Sequence, residues 1–388
     1  MRRQHSSECC SNNEAGMKYR ITCLTPTLIG DGQKLSPIDY MVWKDHVNVL
    51  DQRRIFKLLS KGPRLDGYLA QLKKADRLDF AAWGGFAQNF AGRRIPFENV
   101  NAIPHWEKAQ PENLFIPTFA VSPSGPYIPG TAIKGALRTG AVADRWTEGS
   151  MRDLSERLTA EDRLPRNPAI RAEEAVLGGA GSSRMKRFAA GDSAAVTHAG
   201  MKIHLLRVST LVPKGGGKYE LGWKSHRGAS NRADDSTPLF VEMASPGTAF
   251  DGFWREKSPS DRIKQFQASN RYAAKLLAHH KTYAELAGLS HLHATISDLE
   301  RNAAAIAERQ DACILSIGWG GGLIGKSAYL DTQDESYRKI LRQTTIYQRA
   351  IQTGLPFPKT RRVIFQGNQP ASLPGYVLLE VADSTSST

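Results

Sequence analysis

IPGTAIKGALRTG, residues 128–140, is the stretch of this sequence that bears most directly on its fold. A short strand stops at Pro129-Gly130, and Thr131 has the side chain of a helix N-cap. In a helix that starts there, Ile133 and Leu137 are four residues apart and share one face. The stretch therefore predicts a strand, a turn and a helix with one apolar face.

The same helix carries two cations on another face. Lys134 and Arg138 are one turn apart, close to a helix N-terminus whose dipole and free N–H groups attract anions. This arrangement predicts an anion-binding site. A solvated basic face is the alternative that the spacing leaves open.

The charge of the whole chain points in the same direction. Among 388 residues, 52 Lys and Arg face 38 Asp and Glu, which gives a formal net charge of +14. Such an excess opposes compaction unless a polyanion neutralises it. No polybasic block stands beside an apolar anchor, so we expect nucleic acid and not a membrane as the partner. A protein that is merely basic and soluble remains the alternative.

The N-terminus has no apolar signal core, so we expect a cytoplasmic location.

The cysteines and histidines predict neither a metal nor another cofactor. Cys9 and Cys10 are adjacent in a polar segment, whereas Cys23 and Cys313 stand in strand-like apolar runs. No CxxC or Cys/His ligand spacing occurs, so buried free thiols are the expected state of the latter two.

Alternation and turn residues predict the elements of the first half. Polar residues alternate with Tyr19, Ile21 and Cys23, which is the period of a half-buried strand. YMVW and HVNVL, joined at Lys44-Asp45, predict a β-hairpin. Residues 52–75 have a helical pattern, and 84–115 has the composition of an insertion or long loop.

The second half alternates strand and helix patterns. A strand is predicted over 202–212, helical patterns follow near 263–277 and 296–306, and further elements are expected at 313–317, 334–352, 361–366 and 375–381. This mixture predicts the α+β class, with antiparallel sheets and packed helices.

Composition also suggests how the chain is divided. We expect residues 1–16 to be a disordered extension and 383–388 a polar tail. Residues 17–200 are predicted to form an N-terminal half with insertions, and 201–382 a C-terminal α+β half. The Gly- and Ser-rich stretch 178–200 is predicted to be a flexible, basic segment between them.

The segment GGGLIGKS, Gly320 to Ser327, matches the P-loop pattern of nucleotide-binding proteins. In that interpretation Lys326 reaches the phosphates and Ser327 holds Mg²⁺. The chain that follows is too short for a nucleotide-binding sheet, and no later strand ends in a suitable Asp. The alternative is a glycine loop whose N–H groups form a nest for RNA phosphates. Its residues would be Gly318, Trp319, Gly320, Gly321, Gly322, Gly325, Lys326 and Ser327.

Two features around this loop leave alternatives open. Trp319 is predicted either to stack on a base or to make a core or inter-subunit contact. Lys359, Arg361 and Arg362 enter a strand, where they would grip a sugar-phosphate backbone or act as a gatekeeper cluster on an edge strand.

Together, these motifs resemble the RAMP superfamily of CRISPR proteins. The resemblance rests on LTPTLIGDG (24–32), LSPIDY (35–40), residues 128–140, the glycine loop and PKTRR (358–362), and it is greatest to the fifth subunit of type III-A (Csm) effector complexes. It implies a ferredoxin-like, RRM-like fold with insertions. It also implies a subunit that caps the 3′ part of the guide RNA and assists its maturation. The implied partners are the guide (CRISPR) RNA, target RNA and neighbouring RAMP backbone subunits. We expect Gly30, Asp31 and Gly32 to belong to the RNA-binding surface.

The resemblance raises one question about catalysis. In backbone subunits of such complexes an Asp after the first strand cuts target RNA, and Asp39 resembles that residue. The cap subunit is not regarded as the cutting one, and Asp39 can instead brace its loop by accepting backbone N–H bonds. A guide-RNA cap without enzymatic activity is therefore the main hypothesis, with a ribonuclease or a P-loop ATPase as alternatives.

Overall fold

A computed structural model describes residues 17–62, 64–74, 78, 87–160, 167–352 and 356–382. The predicted disordered extension, 1–16, and polar tail, 383–388, lie outside these residues.

Groups of strands and groups of helices follow one another along the described residues. The strands are β1 (Met17–Cys23), β2 (Lys34–Leu35), β3 (Tyr40–Trp43), β4 (His46–Leu50), β5 (Ala91–Pro96), β6 (Ile116–Pro117), β7 (Val121–Ser122), β8 (Gly125–Pro126), β9 (Phe188–Ala190), β10 (Met201–Gly215), β11 (Lys218–Ser225), β12 (Gly228–Ser230), β13 (Leu239–Ala244), β14 (Ala249–Glu256), β15 (Ala312–Ser316), β16 (Thr360–Gln366), β17 (Gln369–Ser372) and β18 (Tyr376–Ala382). The helices are α1 (Gln52–Leu59), α2 (Leu65–Lys74), α3 (Ala87–Phe90), α4 (Ile103–Lys108), α5 (Gly130–Arg145), α6 (Glu148–Thr159), α7 (Ile170–Leu177), α8 (Pro259–Leu286), α9 (Ser290–Ile306), α10 (Glu335–Arg342) and α11 (Thr345–Gln352).

Two large antiparallel sheets form the frame of the protein. The first has the strand order β15-β18-β1-β14-β9, and the second has the order β12-β11-β10-β16-β17 with β13 also paired to β10. Every strand pair in these sheets is antiparallel. The predicted α+β class with antiparallel sheets and packed helices is therefore confirmed.

Burial explains why the clearest patterns were predictable. In β1 the side chains of Tyr19, Ile21 and Cys23 are buried, while Lys18 and Arg20 between them are exposed. The YMVW/HVNVL hairpin is also confirmed, since β3 pairs with β4 from Tyr40↔Val49 to Trp43↔His46. The free thiols of Cys23 and Cys313 are buried, as expected.

Three predicted segments differ from the structure. The helix expected over 52–75 is the pair α1 and α2, and that expected over 334–352 is the pair α10 and α11. The stretch 84–115 contains β5, which extends the hairpin by pairing with β4. Only Ile95 is buried in β5, and arginines surround it, so its sequence has too little apolar alternation to indicate a strand.

The stretch 178–200 is a hydrogen-bonded strap and not a flexible link. Its strand β9 pairs with β14, Ser193 N donates to Ile128 O (2.9 Å), and Val196 N donates to Pro126 O (2.8 Å). Strand β1 lies between β14 and β18, so strands from before and after residue 200 share one sheet. The structure therefore differs from the expected division into two halves at that point.

Within the described part of the chain, no helix combines the length and apolar character that crossing a membrane requires.

Candidate nucleic-acid interface

Three segments that are far apart in sequence enclose one cleft of about 620 Å³. They are the loop between β1 and β2 together with the start of β2, helix α5, and the loop after β15. These segments contain three of the motifs singled out in the sequence. The first contributes Gly30, Gly32 and Lys34, the second Ala132, Gly135, Ala136 and Thr139, and the third Gly318, Trp319, Gly321, Gly325 and Lys326. We call this space the cleft.

A close backbone contact joins the two loops. Trp319 N donates to Leu28 O (2.8 Å), forming an isolated antiparallel bridge between them. Gly318 has a φ of +78°, and a Cβ placed there would be 2.2 Å from Leu28 O. Only glycine tolerates both conditions, because it has no Cβ. The glycines of this loop thus serve a contact inside the protein as well as the shape of the cleft.

The charge that lines the cleft is positive. Lys34 and Lys326 are exposed and line it, and no Asp or Glu does so. The lysine ion pairs found among the described residues involve other lysines. Asp31 stands outside the lining and accepts a hydrogen bond from Gln33 N (2.9 Å). Lys34 could not be predicted from the sequence, because nothing local distinguishes it and only the fold brings it into the same cleft as Lys326.

The start of α5 differs from the predicted anion site. Thr131 is not the cap; instead Gly130 N donates to Asp192 Oδ1 (2.8 Å). A Cβ at Gly130 would be 2.2 Å from Ala190 O, so the strap packs directly on the helix start. A carboxylate from a distant segment therefore occupies the position where an anion was expected.

Lys134 and Arg138 do not line the cleft. The face of α5 that does so consists of small residues spaced at one helical turn, Ala132, Gly135, Ala136 and Thr139. Arg138 Nη1 lies 2.5 Å from Glu173 Oε2 in an ion pair, and Lys134 is half-buried. RNA contact by these two cations stays a prediction, and it would require a surface other than the cleft.

The glycine loop does not have the geometry of a P-loop. Its preceding strand β15 pairs antiparallel with β18, and only the short turn Ile324–Lys326 follows the glycines. The next helix, α10, begins at Glu335, well past the Lys-Ser pair. Ser327 Oγ donates to Tyr329 O (2.7 Å), so its hydroxyl braces the loop. The P-loop interpretation is therefore wrong as a description of this backbone.

The basic cluster at the start of β16 lines a second cavity, and one of its arginines is also buried. Arg361 is 7% exposed; it donates to His280 Nδ1 (2.9 Å) and to Pro358 O (2.7 Å). Burial lowers its pKa to about 10. RNA contact by Arg361 stays a prediction, and its guanidinium already serves the fold as an internal donor. Lys359, Arg361 and Arg362 all line a cavity of about 360 Å³ beside the glycine loop.

Trp319 has a mixed environment. The Arg362 guanidinium carbon lies 4.8 Å from the centre of its indole ring, a cation–π contact that ties β16 to the glycine loop. Trp319 is also half-buried against the core below the cleft. Arg362 covers one face of the indole, so a base can stack on at most the other face.

Asp39 closes its own loop. Its Oδ2 accepts hydrogen bonds from Ser36 N (2.7 Å) and Ser36 Oγ (2.6 Å), and its N donates to Ser36 O (2.9 Å). This is the bracing arrangement that a short polar side chain makes with a turn. In the described residues no group of three or more His, Cys, Asp or Glu side chains could hold a metal ion.

Comparison with known proteins identifies the family. The family model of the RAMP superfamily matches residues 20–272. This chain belongs to the RAMP superfamily. The matched range includes the first loop of the cleft and α5, whereas the glycine loop and β16 lie beyond it.

Solved structures resemble the fold over nearly the whole chain. A chain of the cryo-EM structure of a Csm–crRNA–target RNA ternary complex from a type III-A CRISPR-Cas system has 18% sequence identity and a TM-score of 0.61, covering 94% of this chain and 100% of its own. The crystal structure of T. onnurineus Csm5 has 17% identity and a TM-score of 0.55, covering 92% and 99% respectively. No curated protein sequence matches this chain. The likeness in fold thus extends well beyond residue 272.

Proposed function

We propose that this RAMP protein is the RNA-binding subunit of a type III-A CRISPR effector complex that caps the 3′ part of the guide RNA and supports its maturation. Its partners are the guide RNA, target RNA and neighbouring RAMP backbone subunits, in the cytoplasm. The observation that carries the proposal is the convergence of three distant motifs on one cleft whose lining holds two lysines and no carboxylate. The likeness in fold to a chain of a Csm–crRNA–target RNA complex supports it.

The cleft suits a sugar-phosphate backbone better than a base-specific ligand. Lys34 and Lys326 provide point charges for phosphates, which bind without regard to sequence. The small residues of α5 leave room for a strand to approach the helix. A subunit that caps guide RNAs of many sequences needs this kind of contact.

We infer that the protein has no catalytic step of its own. The described lining of the cleft contains no His, Cys, Asp or Glu, which are the side chains that most often transfer protons in RNA cleavage. Asp39 lies outside this lining and is engaged by Ser36. The cleft is therefore equipped to hold RNA.

Replacing Lys34 and Lys326 together by alanine should weaken the binding of single-stranded RNAs of unrelated sequence alike. Each lost contact between a lysine and an RNA phosphate reduces the slope of log K against log salt by about 0.7. The double variant should therefore flatten the slope by up to about 1.4. Fluorescence anisotropy at several salt concentrations measures both quantities. The matched control is Arg152→Ala/Arg171→Ala, which removes two exposed cations from α6 and α7. If the cleft variant and the control behave alike, RNA does not pass through the cleft.

The same assay tests α5. Lys134→Ala should flatten the slope only if RNA also crosses the outer face of that helix.

In the assembled complex, sequencing the guide RNAs that co-purify with the Lys34→Ala/Lys326→Ala variant tests the capping role. The 3′ ends should become shorter or more heterogeneous, whereas unchanged ends would contradict capping.

Asp39→Ala should leave target cleavage by the assembled complex unchanged in rate and in number of cuts, because this carboxylate serves the loop at Ser36. It should cost about 1–2 kcal/mol of stability through the two lost hydrogen bonds. Ser36→Ala, which removes one of these bonds and keeps the carboxylate, is the control. Loss of a single cut in Asp39→Ala, with all cuts retained in the control, would instead support the ribonuclease alternative.

A further inference from the structure

The second large sheet is split beside the middle of β10. On one edge, β10 pairs with β13 as far as Leu206 and with β11 from Ser209 onward, while β16 runs along the other edge. None of the described strands pairs with Arg207 on the split edge. The residues that connect β12 to β13 leave the sheet here, and a cavity of about 640 Å³ opens at this point. We call it the split-sheet cavity.

Arg207 forms the floor of the split-sheet cavity and is only 1% exposed. Its Nη1 donates to Ser236 O (3.0 Å) and Ser236 Oγ (2.8 Å), and its Nη2 contacts His105 Nδ1 (3.2 Å). Its Nε is buried and has no partner among the described residues. A buried donor without a partner costs free energy, so this guanidinium has unused capacity for an acceptor.

The charge of Arg207 is also poorly compensated. The carboxylate paired with it, Asp234, has its Oδ1 3.9 Å from Nη2 and is 59% exposed. That distance is too long for a hydrogen bond. A buried cation normally has a hydrogen-bonded anion beside it, because removing it from water is expensive. The site thus lacks a closely bound negative group.

More cations surround the mouth of the cavity. Lys108 and Arg227 are exposed, line the mouth, and take part in none of the ion pairs found among the described residues. We call these two residues the rim pair. His226 also lines the mouth, and the opposing charges there are those of Asp234 and Asp235. Asp235 is loosely paired with Arg232, at 3.9 Å.

We propose that the split-sheet cavity binds a phosphate group, with Arg207 as its buried donor and the rim pair as its outer charges. A guanidinium donates a planar fork of N–H groups that matches a phosphate, and additional cations at the mouth attract it. Asp234 is 59% exposed and lies 3.9 Å from Arg207 and 3.8 Å from His105, so a phosphate can displace it. The source is a second stretch of RNA backbone, and this choice of source rests on the proposed function.

A titration with inorganic phosphate tests the site itself. The ionic strength is held constant with chloride. Once the phosphate concentration exceeds the Kd of the site, the melting temperature of the full chain should rise by about 2 °C for each further tenfold increase in phosphate. Arg207→Met and the rim-pair variant Lys108→Ala/Arg227→Ala should both lose this rise. The rim pair is exposed, so its variant folds even if Arg207→Met does not. A rise that persists in the rim-pair variant, or no rise in the wild-type protein, would overturn the proposal.

RNA binding identifies the source of the phosphate. If it is RNA, the rim-pair variant should flatten the salt slope for single-stranded RNA by up to about 1.4, as two lost phosphate contacts would. A phosphate response with an unchanged slope would keep the phosphate site and assign it to a free phosphate or a small phosphorylated ligand. The Lys34→Ala/Lys326→Ala variant separates the two proposals. Suppose that it flattens the salt slope, while the rim-pair variant keeps both the wild-type slope and the rise in melting temperature with phosphate. RNA binding in the cleft is then supported, and the phosphate site in the split-sheet cavity is contradicted.

Discussion

Gly318→Ala should lower the free energy of unfolding by at least about 2 kcal/mol and abolish RNA binding through the cleft. The added methyl group would stand 2.2 Å from Leu28 O, and the backbone at this position has a φ of +78°. The nearest atom, Leu28 O, belongs to the backbone, so no movement of a side chain relieves the clash. Either the bridge between Trp319 and Leu28 breaks, or the loop shifts and the cleft loses one wall. Urea unfolding, with anisotropy for RNA, measures both effects.

Gly135→Ala is the matched control because Gly135 lines the same cleft and its replacement should raise the free energy of unfolding instead of lowering it. A Cβ at Gly135 meets no other atom within 4 Å, and the residue is inside α5. Alanine in a helix interior is more stable than glycine by up to about 1 kcal/mol. If Gly318→Ala is as stable as Gly135→Ala, the contact between the two loops does not determine the shape of the cleft.

Lowering the pH from 7 to 5 should reduce the free energy of unfolding by about 4 kcal/mol through two buried histidines. Burial lowers the pKa of His204 to about 4 and that of His280 well below its usual value. The folded protein therefore keeps both imidazoles neutral, whereas the unfolded chain takes up protons below about pH 6.5. Their stabilising contribution is complete above that pH and is lost as the pH falls toward the folded-state pKa, at about 1.4 kcal/mol per unit for each histidine.

The control removes one of these two titrations without removing a hydrogen bond. Both ring nitrogens of His204 are buried without a partner among the described residues, so His204→Leu keeps the site apolar. The variant should lose about half as much stability over the same pH range, measured by urea unfolding at several pH values. His280 is less suitable for replacement, since its Nδ1 accepts from Arg361. An identical pH dependence in His204→Leu and wild-type protein would contradict this assignment.

The elements that the sequence predicted well are those whose local pattern agrees with their final burial. Strand β1 alternates apolar and polar residues because one of its faces is buried, and Lys44 and Asp45 form a tight turn between β3 and β4. Strand β5 could not be predicted in this way, because its pairing with β4 supplies the stability that its own sequence lacks. The strap at 178–200 resembles a linker because its small residues form no apolar pattern, and it lies against α5 because Gly130 has no Cβ.

The sequence by itself determined the α+β class, the positive charge and the motifs of the RAMP superfamily, since composition and short-range periodicity are enough for these. Only the tertiary structure decided which motifs meet. It brought Gly30, Lys34 and the glycine loop together at the cleft, turned Lys134 and Arg138 away from it, and buried Arg361 beside His280. It also left Arg207 at the floor of a split sheet. The physical reason is that a cation's role depends on the direction of its side chain and on the groups around it, and long-range strand pairing sets both.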